Sequence, residues 1–343
     1  MMLFDWRSAA TPAPYLPSLL LEHAMILAHL TKHWLARLEQ YSFTSWILCI
    51  ARTLRVLVFY REHRRLCQLD VYRNYVAAPP NDDLFHHLSH RDYLIKGLGA
   101  RQRIACVLHH YSFEDETFNT SYKYAVYRAG GLTLWQRSAG GSQFAIKLAI
   151  ASRMNAEGDL TIAFEADGKC LHRLSFSWIE GSVAGVDSPM LPFVARNQGR
   201  WTDSDAAFAA FELVFPNNSP SFFCFAAMQG VAQSVGMTQL VAIKVSRHPA
   251  YDPESAAHFI NAYDGFWKIL GGVELPGPGY LVALPFYVKP LADMPRKHRK
   301  RAAIRRENWA EIGAAARGAL ERKFKRSPLP STRPAPLRET EQL

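Results

Sequence analysis

Leu160-Thr161-Ile162-Ala163-Phe164-Glu165-Ala166, then Asp167-Gly168, then Cys170-Leu171-His172-Arg173-Leu174-Ser175-Phe176-Ser177-Trp178-Ile179 is the stretch that decides the fold class. Both runs favour extended backbone, and an Asp-Gly pair between such runs supplies the backbone angles of a two-residue hairpin turn. An antiparallel hairpin is therefore predicted. Upstream, Arg101–Phe113 reads as a helix ending near His109-His110-Tyr111, and Leu132–Arg137 as a short strand. Ser138-Ala139-Gly140-Gly141-Ser142 reads as the opening of a helix through Met154. Downstream, Leu191–Ala195 is a third strand, followed by helices over Ala206–Phe215 and Ser221–Val235, the second closed by Gly236. A strand over Leu240–Ser246, a helix over Ser255–Leu270 and a strand over Tyr280–Tyr287 complete the pattern. Strands joined by a helical crossover lie parallel. The fold class is α+β: a mixed sheet with a hairpin and an α/β crossover.

The flanks differ from this centre. Residues 1–15 form a loose lead-in with two prolines, and 16–80 an N-terminal helical layer with helices over Leu16–Leu38 and from about Thr44 into Arg65. Pro79-Pro80-Asn81-Asp82-Asp83 marks a boundary. The mixed α/β core runs over 81–290, a basic C-terminal helix over 291–326, and a disordered tail over 327–343. Ile304, Trp309, Ile312, Ala316, Leu320 and Phe324 form the apolar stripe of that last helix, while Lys297, Arg301 and Arg305 share a face. Phe43–Tyr60 is the most membrane-like segment, but Arg52 and Arg55 would each cost about 2.5–3.5 kcal/mol at a bilayer centre. It reads as a domain helix or an interfacial one, not a span.

With 343 residues and 49% hydrophobic side chains the chain is globular. Its 40 Lys and Arg against 30 Asp and Glu give +10, yet Arg296–Arg326 holds twelve bases and three acids, nearly the whole excess. That excludes a uniformly basic nucleic-acid coat and marks one localised cationic element. Five scattered cysteines without metal-ligand spacing point to free thiols in a reducing cytoplasm, with no metal site expected. The N-terminus lacks the pattern of a secretory signal.

Among groups able to do chemistry, His109 and His110 with Glu114, Asp115 and Glu116 form the densest titratable cluster, where a histidine beside a carboxylate can serve as a general base. Adjacent histidines on a helix point about 100° apart, so they cannot share one target. Ser246 and His248 sit at an expected strand end, a common place for functional groups in open sheets, although no acid lies nearby in sequence and no GxSxG is present.

The order of elements resembles the layout of GNAT-type acyltransferases. Independently, His90-Arg91-Asp92-Tyr93-Leu94-Ile95-Lys96-Gly97-Leu98, Leu108–Phe113, Glu157-Gly158-Asp159-Leu160-Thr161, Leu171–Phe176, Asn197-Gln198-Gly199, Val245-Ser246-Arg247-His248 and Tyr263–Trp267 together resemble the VirK/YbjX family of Gram-negative bacteria. The resemblance covers about residues 70–310. It departs at Phe215-Pro216-Asn217-Asn218-Ser219-Pro220, where the family shows Thr-Lys and His-Gly-x-x-Pro. It implies a part in virulence, stress response, cell-envelope integrity, lipid A biogenesis and resistance to cationic antimicrobial peptides, and carries over no catalytic residue.

In a GNAT-like layout Arg196, Gln198, Gly199 and Arg200 would stand where an acyl-CoA pyrophosphate binds. A single glycine, and Asp203 and Asp205 at the next helix start, argue against an anion there. The preferred reading is an accessory protein of envelope homeostasis, cytoplasmic or peripheral at the inner membrane, without a cofactor. It meets an anionic lipid surface through Lys297, Arg299, Lys300, Arg301, Arg305 and Arg306. The alternatives are a GNAT-like acyltransferase using acyl-CoA or acyl carrier protein, and a basic nucleic-acid-binding stress protein. Against nucleic acid, Trp309 and Phe324 fit the apolar stripe and leave no stacking platform.

Overall fold

Ala166 pairs with Lys169, so Asp167 and Gly168 alone make the turn, with φ of 49° and 77°. Positive φ at both positions is the geometry of a type I′ hairpin. The strands it joins, β3 (Leu160–Ala166) and β4 (Lys169–Ile179), sit inside an eight-stranded mixed sheet. The others are β1 (Leu132–Ala139), β2 (Ser142–Ile150), β5 (Leu191–Gly199), β6 (Gln239–Ile243), β7 (Val273–Glu274) and β8 (Gly279–Ala283). Their order is β1-β2-β3-β4-β5-β6-β8-β7, and every neighbouring pair is antiparallel except β5 with β6.

This computed structural model describes residues 16–38, 41–78, 81, 85–151, 156–199, 203–254 and 259–325, with side chains from residue 26 onward. The expected lead-in and tail lie outside the described residues. The chain divides into two compact units, Met1–Val58 and Phe59–Leu343. In the first, α1 (Leu16–Leu38) and α2 (Phe43–Thr53) form a helical hairpin, followed by a 3-10 turn over Leu54–Leu57. The continuous helix expected from Thr44 into Arg65 is broken there. Its remainder, α3 (Tyr60–Gln68), belongs to the second unit and packs on α5 (Ala100–Thr117). Between them in sequence lies α4 (His86–Ser89).

Where a helix through Met154 was expected, Ser142–Ile150 is instead strand β2, and residues 152–154 lie outside the described residues. Phe144, Ile146 and Leu148 are buried at a period of two, and Gly140-Gly141 form a hairpin turn with φ of 60° and 81°. The glycines that looked like a helix start are thus turn residues. The strands expected to reach Ser246 and Tyr287 stop at Ile243 and Ala283, and β7 and α6 (Thr120–Tyr127) carried too short a pattern to read. The crossover from β5 to β6 runs through α7 (Asp205–Val214) and α8 (Pro220–Ser234), and α9 (Asp264–Ile269) precedes β7.

The last helix, α10 (Arg296–Glu321), docks on α8 and β1 through Ala302, Ile312, Gly313, Ala316, Ala319 and Leu320. Its buried stripe is rotated from the expected one. Ile304 is exposed, Trp309 stacks on Phe222 with ring centroids 4.7 Å apart, and Phe324, past the helix end, stacks on Phe118. Small residues set the spacing: a Cβ on Gly230 of α8 would lie 2.2 Å from the Gly313 carbonyl oxygen. Gly318 on the same helix has room, with only the Arg322 guanidinium near its absent Cβ, at 3.5 Å. Gly318→Ala is accordingly expected to stabilise the protein by about 0.5–1 kcal/mol, because alanine loses less backbone entropy in a helix. A rise in the urea midpoint at unchanged slope would register it.

Candidate functional site: the cleft where β5 leaves β6

β5 and β6 run together for only two residue pairs, Phe193–Val241 and Val194–Ala242. β5 continues to Gly199, whereas the chain beyond β6 turns away through a 3-10 turn at Val245–Arg247. On its other edge β5 carries an extra residue: Ser175 of β4 faces Arg196 while Phe176 faces Val194, leaving Ala195 as a bulge. Bulges bend a strand and re-aim its side chains. Backbone groups beyond the last β6 pair still need partners. Side chains supply them, since His248 hydrogen-bonds the Ala195 backbone and the Asn197 N–H donates to the Tyr263 hydroxyl at 3.3 Å.

These wedges belong to a buried polar cluster. Glu157 Oε2 lies 2.8 Å from an Arg196 guanidinium nitrogen, and Glu157 Oε1 lies 3.3 Å from His248 Nε2. The Tyr263 hydroxyl is 3.0 Å from the same His248 nitrogen. His248 Nδ1 accepts the Ala250 N–H at 3.1 Å, which assigns the ring proton to Nε2 and makes that atom a donor. Burial holds the His248 pKa down to about 4, assisted by the Arg196 charge, so the ring is neutral. Burial raises the Glu157 carboxyl above its ordinary range, against the opposing pull of Arg196. Beside the cluster, Asn197 donates from Nδ2 to the Ala262 carbonyl at 2.6 Å, so its Oδ1 accepts from His172 Nε2 at 2.7 Å. His172 is likewise held neutral, near 4, by burial.

Two clefts flank this arrangement. The larger, about 490 Å³, is lined by His172, Asn197, Gln198 and Gly199, by Phe208, Phe259 and Phe266, and by Ser219, Pro220 and Ser221 at the start of α8. The smaller, about 190 Å³, is lined by His90, Arg91, Asp92, Ala156, Glu157, Pro249 and Ala250. All the stretches that carried the family resemblance except Leu108–Phe113, far apart in sequence, therefore meet around one strand end. Backbone bonds tie them: Leu94 N–H to Ala156, Lys96 N–H to Arg247, and Val245 N–H to the Asp264 carboxylate, at 2.7, 2.8 and 2.9 Å. A carboxyl with a raised pKa beside a neutral imidazole and a phenol can accept and relay a proton. A helix start can hold an anion. Among the described residues no three metal-ligating side chains gather.

The structure disperses the other candidates. Glu114 is fully buried and accepts from Tyr122, Trp178 and Tyr127 at 3.1, 2.8 and 3.3 Å. His110 Nδ1 accepts the Trp178 backbone N–H at 3.1 Å. His109, half-buried on another face of α5, has its pKa lowered by burial. Asp115 accepts from Lys123 rather than from a histidine. Ser246 is exposed on the 3-10 turn while His248 is buried, so the two do not form a nucleophile and base. Arg196, Gln198 and Gly199 lie in β5 instead of a loop after it, and Arg200 lies outside the described residues. The anion objection changes with them. Asp203 precedes α7 and Asp205 opens it, whereas the helix start lining the cleft is that of α8, whose first turn has no acid. Glu157, His172, Asn197 and Tyr263 were not singled out as site residues. Their legible signal was a charged or polar residue inside an otherwise strand-like or apolar run.

Comparison with known proteins follows the same segments. A sequence model of the family described as a protein of unknown function (DUF535) matches residues 32–207, half of the chain. The chain belongs to that family. The uncharacterized protein YbjX of Escherichia coli strain K12 is 25% identical over 247 residues, 68% of this chain and 66% of that protein. The match thus spans just under two thirds of the relative's length. No solved structure matches this chain.

Proposed function

We propose that the protein is a GNAT-like transferase that binds an acyl thioester, carried on coenzyme A or acyl carrier protein, in the cleft beside β5. The observation that carries this reading is the parting of β5 from β6 after Val194–Ala242, which opens the 490 Å³ cleft against the start of α8. Ligands of open α/β sheets bind outside the carboxyl ends of parallel strands, at such a junction. The strand order, with its single parallel pair fed by helices, supports the same layout.

In this reading the phosphate end of the donor meets the α8 N-terminus and the Ser219 and Ser221 hydroxyls, and its apolar arm lies along Phe208, Phe259 and Phe266. An acceptor amine or hydroxyl attacks the thioester carbonyl. The new C–N or C–O bond forms as the C–S bond breaks, and the acceptor's proton passes through solvent in the cleft to the departing thiolate, which leaves as the thiol. An envelope role, which the family resemblance implies, fits transfer of an acyl group. Calorimetry with acyl-CoA and with acylated acyl carrier protein tests it on the full chain. One donor is expected to bind, and Ser219→Ala with Ser221→Ala to weaken it about tenfold by removing two hydrogen-bonding groups. Absence of heat and of any melting shift with both donors would discard the reading.

A second reading rests on α10. Arg296, Lys297, Lys300 and Arg301 are exposed and, among the described residues, no ion pair is made by any of them. Arg299, Arg305 and Arg306 donate to backbone carbonyls of Met294, Ala292, Asn217 and Lys289 instead of pairing with acids. Cations crowded into the first turns of a helix oppose its macrodipole and repel each other. Such a cluster costs stability unless an anion meets it, and the anionic inner face of a bilayer is the surface proposed.

A further inference from the structure

The first unit carries a second feature that neither the cleft nor α10 explains. Its helices pack through Ile26, Leu30 and His33 on α1 and Cys49, Thr53 and, just beyond α2, Val56, all buried. The two tryptophans of the hairpin are fixed inward by their N–H groups, Trp34 to the Thr53 hydroxyl at 2.8 Å and Trp46 to the Trp34 carbonyl at 2.7 Å. With that packing satisfied, a large apolar surface is left over. Among the described residues, sixteen large hydrophobic side chains are exposed, and nine lie in residues 27–58. On α2 and the turn after it they are Phe43, Ile47, Leu48, Leu54, Leu57 and Val58, and on α1 Leu27, Leu35 and Leu38. Phe43 is 68% and Val58 78% exposed. Phe43, Ile47 and Leu54 are spaced four and seven apart, which places them on one stripe that runs along α2 into the turn after it. Scattered single exposures are ordinary, but a run of this density on one hairpin marks a surface made to be covered.

Charge says what covers it. Between Ile26 and Val58 the chain has Lys32, Arg37, Arg52 and Arg55 against Glu39 alone. Arg55 is exposed immediately beside Leu54. A second copy would bring like charges together, whereas an anionic lipid headgroup layer complements both the cations and the apolar stripe. Among the described residues no single helix is long and apolar enough to cross a membrane. We infer that the α1–α2 hairpin lies in the interface of an anionic bilayer, its Phe43–Ile47–Leu54 stripe among the upper acyl chains and its cations at the headgroups. The inference deepens the anionic-surface reading of α10, on which it rests for the choice of membrane, but it requires different residues.

Flotation of the full chain with phosphatidylcholine vesicles, with and without phosphatidylglycerol, separates the two. The wild type is expected to float with the anionic vesicles and to stay bound when salt is raised. Phe43→Ser/Ile47→Ser/Leu54→Ser, all at exposed positions, is expected to lose about tenfold or more in vesicle affinity, given the apolar area withdrawn, with the melting temperature unchanged. A lipid carrying a photoreactive group in its acyl chain should crosslink to peptides within residues 27–58. If Lys297→Glu/Arg301→Glu abolishes binding while the triple serine variant binds as wild type without acyl-chain crosslinks, the hairpin inference is overturned and the α10 reading stands. If the serine variant alone loses binding, the inference stands and α10 is not the contact. Wild type that ignores anionic vesicles overturns both. A dimer in light scattering that the serine variant dissolves would overturn the lipid assignment in favour of a second copy.

Discussion

Gly230→Ala is expected to be among the most damaging single-methyl changes in this protein. The added carbon would stand 2.2 Å from the Gly313 carbonyl oxygen and 3.0 Å from both the Ala316 methyl and the Arg317 backbone nitrogen. Two of these three neighbours are helix backbone, so no side chain can rotate aside. α8 and α10 must separate, and the contacts of Ile312, Ala316 and Leu320 loosen together. Overpacking of this kind costs about 1–3 kcal/mol, and the backbone clash puts Gly230 at the upper end. Helix propensity alone would favour alanine by about 1 kcal/mol, so the sign decides between the two effects. Urea unfolding checks it. A variant as stable as its parent would mean that the two helices are not in the close contact described.

Glu114 carries the second large effect, and it depends on pH. Burial pushes its carboxyl up to about 7, although Tyr122, Trp178 and Tyr127 all donate to it. In the unfolded chain it titrates near its ordinary value, so between about pH 4.5 and 7 the folded state keeps a proton that the unfolded state has released. Stability from this group is therefore full below the lower value and lost as pH rises through the higher one, by roughly 3 kcal/mol. His172 and His248, held near 4, act in the opposite sense: the unfolded chain takes up protons below about 6.5, so stability falls toward acid. Glu114→Gln should remove the first effect and leave the second. Relative to the parent it is expected to gain roughly 3 kcal/mol between pH 4.5 and pH 8, since glutamine still accepts from Tyr122 and Trp178 while its N–H can reach the Tyr127 hydroxyl. Glu114→Ala leaves two phenols and an indole N–H without a partner in apolar surroundings, at a cost of about 3–5 kcal/mol. Denaturant curves at the two pH values distinguish these. If Glu114→Gln tracks the parent throughout, the carboxyl is ionised when folded.

Much of the sheet was legible because its signals are local. The Asp167-Gly168 turn and its flanking strands follow from turn chemistry and β-rich runs within a few residues, and the parallel pairing of β5 with β6 from the helices read between them. Ser142–Ile150 misled because Gly140-Gly141 suits either a helix start or a hairpin turn, and only pairing with β1 chooses between them. The stripe of α10 was displaced because two glycines let the helices approach along a line of small residues that hydrophobicity alone ranks low. The site was the least readable part. Glu157, Asn197, His248 and Tyr263 meet only because β5 bulges at Ala195 and then loses its neighbour, a property of the ladder as a whole. Ser246 and His248, two residues apart in sequence, are by contrast parted by a turn that hides one and exposes the other.

The two-pair junction between β5 and β6 has a mechanical consequence. It makes the sheet a ribbon of five strands and a ribbon of three, stitched along a seam far shorter than any ladder within the five-strand ribbon. Thermal breathing concentrates where the fewest bonds resist it. The larger cleft lies at the end of that seam, so its mouth can widen to admit a long molecule while both ribbons keep their registers intact.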